Sequence, residues 1–332
     1  MVGARILGVL ILSAPGLLGA CSAGDSAGGP GSGGAPGTGG HDSAGGGSGG
    51  SGSGGAAQAG TGGAVSGGSG GDRADAATDS APARDSAPAE VAVDVAALDK
   101  FSFFVTSLGA LRKLSGNQAG FGGDLRYGET TGLGGADKIC GEIAEMSMPG
   151  ARAKGWRAFL STVSGPVHAI DRIGKGPWYD RLGRLVAMNT TALLQNRPTG
   201  ADPAIVNDLP NENGIPNHLD GAPGCVGNAC PDNHDILTGT NTMGHLYSTN
   251  VLTTCNDWTS AATTNPGTRD NGPRCGHSWP RNGSGENWMS SLAEGGCGPG
   301  VNLIEMGGPM QGVFTVGTGG GYGGFYCFAL VP

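Results

Sequence analysis

Apolar and aromatic residues cluster in a few short segments of the chain, and one segment has the spacing of an amphipathic helix. Between residues 134 and 144 apolar side chains recur every three or four positions, which predicts a helix with Cys140 on its buried face. Residues 196–299 are dense in Asn, Gly, Pro, Thr and Asp, which predicts ordered loops rather than regular elements. Four strands are predicted elsewhere, at Phe101–Thr106, Trp156–Ser161, Val313–Val316 and Phe325–Leu330. These patterns predict an α+β domain with long loops over residues 100–332.

The first twenty residues have a different pattern. A single charge, Arg5, precedes an apolar run, and small residues then lead to Cys21, which is typical of a secretory signal. The sequence Leu18-Gly19-Ala20-Cys21 resembles the lipobox of bacterial lipoproteins, which implies removal of residues 1–20 and lipidation of Cys21. Ser22 follows that cysteine, and this residue favours export to the outer membrane. We therefore expect a lipid-anchored protein of the bacterial cell envelope, at the outer membrane or the cell surface.

Residues 21–99 are predicted to form a disordered linker. The stretch 22–71 contains 24 Gly and 9 Ser, and the stretch 72–99 is rich in Ala, Pro, Asp and Ser. Such a chain cannot bury enough apolar surface to offset its ordering entropy. The linker is expected to hold the folded domain away from the membrane and to have no binding role of its own.

The charge distribution excludes one class of partner. The formal net charge of −8 lies mostly in the linker, where residues 22–99 have nine acidic and two basic side chains. Residues 101–332 have eighteen acidic and fifteen basic side chains. A domain that binds phosphate backbones needs a basic excess, so no nucleic acid partner is expected.

The cysteines suggest how a loop-rich domain is held together. Seven of the eight lie after residue 100, and five of these fall within 196–299, where cross-links are needed to order so long a loop region. Cys225 and Cys230 are close enough in sequence to form a local bridge. An odd count leaves a free thiol, an intermolecular bond or a different pairing, and Cys275 is one candidate for the unpaired residue.

Five short motifs occur in order along the folded part of the chain. They are Gly135-Ala136-Asp137 with Cys140, Trp156-Arg157-Ala158-Phe159-Leu160-Ser161, Asp171-Arg172-Ile173, Thr254-Cys255-Asn256-Asp257-Trp258 and Tyr326-Cys327-Phe328. These motifs resemble those of endostatin, the C-terminal domain of certain collagens, which has a C-type-lectin-like fold. They are also similar to motifs of uncharacterised bacterial surface proteins, including leptospiral ones. The resemblance implies bridges Cys140–Cys327 and Cys255–Cys297; an alternative, Cys275–Cys297, leaves Cys255 unpaired.

Two metal sites are conceivable from the residue types. Asp232, Asn233 and Asp235 supply the hard oxygen ligands that calcium prefers, although Asp and Asn also serve as turn residues. Cys225, Cys230 and His234 are residue types that bind zinc, but their spacing is not one of the usual zinc patterns. The Glu-Pro-Asn and Gln-Pro-Asp tripeptides of sugar-binding C-type lectins are absent from the sequence. Calcium is the candidate cofactor, and no cofactor is required by the sequence.

The five tryptophans divide by their surroundings. Trp156 lies in a predicted strand and Trp258 follows a cysteine, so both are expected in the core. Trp178, Trp279 and Trp288 lie in polar loops, where an indole either contacts a ligand or anchors the loop over the core. Asn256 and Asp257 are further candidates for ligand contact.

These features favour a non-catalytic recognition domain that binds a glycan or an extracellular or envelope protein, with contacts in the loops of residues 207–287. An envelope enzyme on the same fold and a structural surface component are the alternatives.

The sequence motifs that would indicate an enzyme are weak. Gly276-His277-Ser278-Trp279-Pro280 lacks the final glycine of a nucleophile elbow and predicts a loop. Cys275 and His277 are close in sequence, but no orienting acid is evident. The glycine-rich run 317–324 predicts a flexible hairpin tip rather than a phosphate loop.

Overall fold

The main sheet is organised around one long strand near the C-terminal end of the chain. The computed structural model describes residues 100–219, 233–264, 271–280, 286–304 and 312–331. The strands are β1 Phe103–Val105, β2 Trp156–Ala158, β3 Trp178–Tyr179, β4 Leu185–Ala187, β5 Asp235–Leu237, β6 Arg274–His277, β7 Leu292–Ala293 and β8 Gly321–Ala329. The last strand, β8, pairs with three others, and the strand order along the sheet is β1-β8-β5-β6-β7, with β2 also paired to β8.

The pairing of β8 brings together both ends of the described domain. It runs antiparallel to β1, with Phe103 opposite Phe328, and antiparallel to β2, with Trp156 opposite Ala329. It runs parallel to β5, where Asp235 lies opposite Gly321. Strands β3 and β4 form a separate two-stranded sheet.

Two longer helices precede the loop-rich half. Helix α1, Leu108–Ser115, begins where the Ser107 hydroxyl accepts a hydrogen bond from the Ala110 amide, and it ends at Gly116, whose φ of 67° lies in the left-handed region. Helix α2, Gly132–Ser147, has Thr131 as its N-cap. The short helical turns are α3 Thr190–Leu193, α4 Cys255–Trp258 and the 3-10 turns Ala151–Lys154, Ala169–Asp171, Asn217–Leu219 and Val251–Thr254.

Both faces of the sheet are buried, because alternate side chains of its strands enter two different apolar clusters. On one face Phe104, Phe325 and Cys327 pack with helix α2 through Ile139 and Cys140. On the other face the neighbouring side chains of the same strands pack beneath the loops; this cluster includes Phe103, Val105, Tyr326, Phe328, Trp178 and Trp288.

Polar contacts fix helix α2 against the sheet. The Asp137 carboxylate accepts a hydrogen bond from the Ala158 amide at 2.9 Å, and Arg172 Nη2 lies 2.9 and 2.7 Å from its two oxygens. Arg172 also donates to the Ala158 carbonyl. The aspartate and arginine of the endostatin-like motifs therefore connect the helix, strand β2 and the following turn.

Two disulfides cross-link distant parts of the chain. Cys140 of helix α2 is bonded to Cys327 of β8, and Cys255 is bonded to Cys297. Both bridges are those that the resemblance implied. Cys275 is a free, buried thiol, so the alternative pairing with Cys297 is wrong. The predicted bridge Cys225–Cys230 lies outside the described residues.

The mixture of helices and strands confirms the α+β class. The predicted helix and three of the predicted strands are present, as α2, β1, β2 and β8. Two predictions were wrong. Residues 313–316 form no strand and make a single bridge, Thr315 to Gly298. The loop region contains three short strands, β5, β6 and β7. No helix among the described residues is long and apolar enough to cross a membrane.

Candidate functional site

The structure decides the role of two of the three loop tryptophans. Trp178 and Trp288 are 1% and 0% exposed and belong to the core under the loops, so they are anchors and not surface contacts for a ligand. The Trp288 indole donates to the Leu193 carbonyl at 2.8 Å, which ties two loops together. Trp279 is half-buried and stacks on His218, with ring centroids 4.7 Å apart. Trp156 and Trp258 are buried, as predicted.

Asn256 and Asp257 lie in an unusual turn. The four residues of α4, Cys255–Trp258, all have φ between 47° and 63°, which makes this a left-handed turn built without glycine. The Asp257 carboxylate accepts hydrogen bonds from the amides of Val163 and Ser164, at 2.6 and 3.0 Å. Its oxygens therefore hold a neighbouring loop, whereas Asn256 is exposed.

A buried polar cluster lies where β5, β6 and β7 meet. Asp235 begins β5 and lies directly opposite His277 of β6, and Glu294 follows β7, which pairs with β6. His277 Nε2 is 3.1 Å and His234 Nε2 is 3.4 Å from Asp235 Oδ1. The two imidazole rings are nearly perpendicular, with centroids 4.5 Å apart. All four side chains are at most 3% exposed.

Opposing effects set the charges within this cluster. Burial alone would raise the pKa of the Asp235 carboxyl, but the adjacent His234 and His277 outweigh burial and lower it. Burial raises the pKa of Glu294 well above its usual value, and the charge of Asp235 raises it further. The pKa of the Cys275 thiol is also raised well above its usual value, chiefly by burial. A thiol that is buried and protonated is a poor nucleophile, which disfavours an activated Cys275–His277 pair.

The predicted calcium ligands have different surroundings from those expected. Asp232 lies outside the described residues. Asn233 is buried, and its side-chain amide donates to the Asn217 carbonyl at 2.9 Å. Asp235 faces two imidazoles, whereas calcium prefers six to eight oxygen ligands. The geometry at Asp235 thus suits a transition metal that prefers imidazole ligands better than it suits calcium.

A second candidate site is a surface groove of about 570 Å³, formed mainly by the segment that joins α1 to α2. The half-buried rings of Phe121 and Tyr127 meet edge to face in it, with centroids 5.6 Å apart. Around the rings stand polar and charged side chains, among them Asn117, Asp124, Arg126 and Glu129.

The groove residues are held in place by several contacts. Arg126 and Asp124 form a two-point ion pair, with distances of 2.9 and 2.6 Å. The Arg126 side chain lowers the pKa of the Asp124 carboxyl, which keeps the pair charged. Lys138 lies over the Tyr127 ring, 5.2 Å from its centroid, and donates to the Tyr127 carbonyl. Such a set of fixed polar groups beside aromatic faces can bind a polar ligand without reorganising.

Neither the groove nor the full cluster was found from the sequence. The sequence predicts binding contacts in loops 207–287, whereas the groove is formed by residues 115–129 with Ala261. The groove could have been found from two aromatic residues, Phe121 and Tyr127, that lie in a glycine-rich polar segment. In the cluster, His234 and Asp235 are metal-ligand candidates from the sequence, but His277 lies on β6 and Glu294 follows β7. In comparisons with known proteins, no family model matches the chain, and no curated protein matches it either.

Proposed function

We propose that this chain is a lipid-anchored protein of the bacterial envelope whose folded domain recognises glycans without catalysis. The anchor is Cys21, the linker is residues 21–99, and the domain is residues 100–332. The anchor rests on the sequence alone, because Cys21 lies outside the described residues. Incorporation of a labelled fatty acid that is lost in Cys21→Ser would test it, and incorporation that persists in the variant would contradict it.

The observation that carries the recognition role is the groove between α1 and α2. Sugars present apolar ring faces and many hydroxyl groups, so their sites combine aromatic side chains with fixed hydrogen-bonding groups. Phe121 and Tyr127 supply the aromatic surface, and Asp124, Arg126 and Glu129 supply donors and acceptors. A purely structural component would have no need of this combination.

Two further features support binding rather than catalysis. The candidate nucleophiles Cys275 and Ser278 are both fully buried, so neither can meet a substrate in the described conformation. The α+β architecture with two long-range disulfides accords with a C-type-lectin-like domain, which is part of the proposal. The groove carboxylates are already paired, Asp124 with Arg126 and Glu129 with Lys138, so we propose binding without calcium there.

A glycan array, read with and without a chelator, is the direct test. We expect binding by the wild-type domain that persists in the chelator and falls about tenfold in Tyr127→Ala, the change that follows from losing about 1.4 kcal/mol. Met188→Ala is the matched control, because Met188 is an exposed apolar residue outside the groove. Binding that survives Tyr127→Ala and Phe121→Ala would place the site elsewhere. If no glycan binds but an envelope protein does, the ligand class proposed here is wrong.

A further inference from the structure

The cluster at the junction of β5, β6 and β7 has a second feature beyond its burial. Both oxygens of Asp235 and Nε2 of His277 are buried without a geometrically clear hydrogen bond among the described residues. Buried polar atoms are nearly always hydrogen-bonded in folded proteins, and leaving one unsatisfied costs about 1–3 kcal/mol. Several such atoms converging on one point therefore indicate a missing partner.

The spacing of the atoms indicates what that partner is. Donor atoms bound tetrahedrally to zinc at about 2.0–2.1 Å are separated from one another by about 3.3–3.4 Å. The distances from Asp235 Oδ1 to Nε2 of His277 and of His234 are 3.1 and 3.4 Å. One donor atom from each of these three residues lies within 4.8 Å of the others. The spacing is close to that of ligands around a single ion.

Neighbouring carboxylates orient these groups as they orient the ligands of bound metals. His277 Nδ1 lies 2.9 Å from Glu286 Oε2, so the imidazole N–H points to that carboxylate and Nε2 is left facing Asp235. The Gly319 amide donates to Glu294 Oε2 at 2.7 Å, which fixes this carboxylate beside the cluster.

The glycine-rich run contributes to the same cluster. A Cβ at position 319 would lie 2.3 Å from Asp235 Oδ2, and a Cβ at position 321 would lie 2.8 Å from the Asp235 carbonyl oxygen. Residues 317–324 are therefore not the flexible hairpin tip that the sequence predicted; they close tightly over the carboxylate, and β8 begins among them.

We propose that His234, Asp235 and His277 form a buried, structural site for a divalent transition metal, zinc in particular. Two imidazoles and a carboxylate suit zinc, and the burial of all three residues keeps a substrate away from the ion. The ion would join β5 to β6 where Asp235 lies opposite His277. This proposal is independent of the glycan groove.

The rival explanation is a network of carboxyl groups and imidazoles that share protons and hold no ion. Metal analysis of the full mature chain, purified and then dialysed against a trace of zinc, separates the two. We expect about one zinc per chain by mass spectrometry, and a melting temperature that falls when a strong chelator removes the ion. A chain that retains no zinc, and whose melting temperature responds to neither zinc nor chelator, would overturn the proposal.

Substitutions in and around the cluster test whether the ion binds there. Asp235→Asn should abolish zinc binding, and His245→Asn, a change to a histidine outside the cluster, should leave it intact. Because Asp235→Asn removes a buried charge on which folding can depend, Glu286→Gln is the second variant. The Glu286 side chain is 23% exposed and pairs with the orienting imidazole of His277, so its loss should weaken zinc binding about 10–100-fold while the domain still folds. Zinc bound with unchanged affinity by Glu286→Gln and Asp235→Asn would assign the ion to another part of the chain.

Discussion

Asp257 shows how one side chain compensates for an unfavourable backbone. Left-handed conformations cost L-residues about 1–2 kcal/mol each, and the turn Cys255–Trp258 has four of them in succession. Three contacts oppose this strain: the Cys255–Cys297 bridge, the hydrogen bond from the Trp258 indole to the Ser161 carbonyl at 2.8 Å, and the two amides bound by Asp257. Asp257, one of the residues predicted to touch a ligand, thus supports the fold.

The substitution Asp257→Asn should destabilise the domain. The neutral amide keeps one acceptor oxygen but loses the charge that strengthens the bonds from Val163 and Ser164, so we expect a loss of about 1–2 kcal/mol in the free energy of unfolding. Urea unfolding at neutral pH measures this loss in the free energy of unfolding. Asp171→Asn, at an exposed aspartate, is the control and should change little.

The same carboxylate gives a pH dependence. Burial would raise the pKa of Asp257, but the hydrogen bonds from Val163 and Ser164 outweigh burial and lower it below the value in the unfolded chain. A lowered native pKa stabilises the fold above the unfolded value of about 3.9, and this contribution is lost as the pH falls through the native pKa. The difference between wild type and Asp257→Asn should therefore shrink in acid. A difference that stays constant down to about pH 2 would contradict this account.

Among the secondary-structure elements, β6 depends on a glycine for a packing reason. A Cβ at Gly276 would lie 1.8 Å from the Trp288 carbonyl oxygen, so no side chain fits between this strand and the loop beside it. The Gly276-His277-Ser278 sequence, which predicted a loop, is a strand end whose glycine allows this close approach.

A pair of Gly→Ala variants tests this reading of β6. Gly276→Ala should destabilise the domain by about 3 kcal/mol or more, because backbone atoms must move apart. Gly109→Ala, in helix α1, meets no atom closer than 3.9 Å and should stabilise by about 0.5–1 kcal/mol through helix propensity. Thermal unfolding of both variants measures the contrast. Equal effects of the two substitutions would show that the close approach at Gly276 has no energetic consequence.

The elements also show which parts of the structure a sequence can reveal. Helix α2 was predictable because its apolar residues recur at helical spacing, and strands β1, β2 and β8 because each lies in a run of apolar and aromatic residues. Strands β5, β6 and β7 lie in segments dense in polar residues and glycine, where no such run marks them. The buried cluster depends on the register of those strands, in which Asp235 faces His277, and no local pattern specifies that register. The two bridges were anticipated only through the resemblance to endostatin.

In the domain as a whole, covalent and packing constraints act together. The sheet is buried on both faces, yet much of the chain covering it lacks regular structure. Such loops make few cooperative backbone hydrogen bonds. Covalent links between distant segments stabilise the fold instead, because they reduce the conformational entropy of the unfolded chain. The Cys140–Cys327 bridge spans 187 residues, and the Cys255–Cys297 bridge spans 42.

Removing the longer bridge should therefore bring the domain close to its limit of stability. In the chain-entropy model a loop of this length contributes about 5 kcal/mol, which is comparable with the whole free energy of unfolding of many domains. We expect the double variant Cys140→Ala/Cys327→Ala to lose most of its resistance to denaturant, measured against the oxidised wild type. Cys275→Ala removes a buried sulfur that forms no bridge and isolates the effect of lost packing. If the double variant were no less stable than this control, packing around β8 would suffice to hold the fold, and the disulfides would be dispensable.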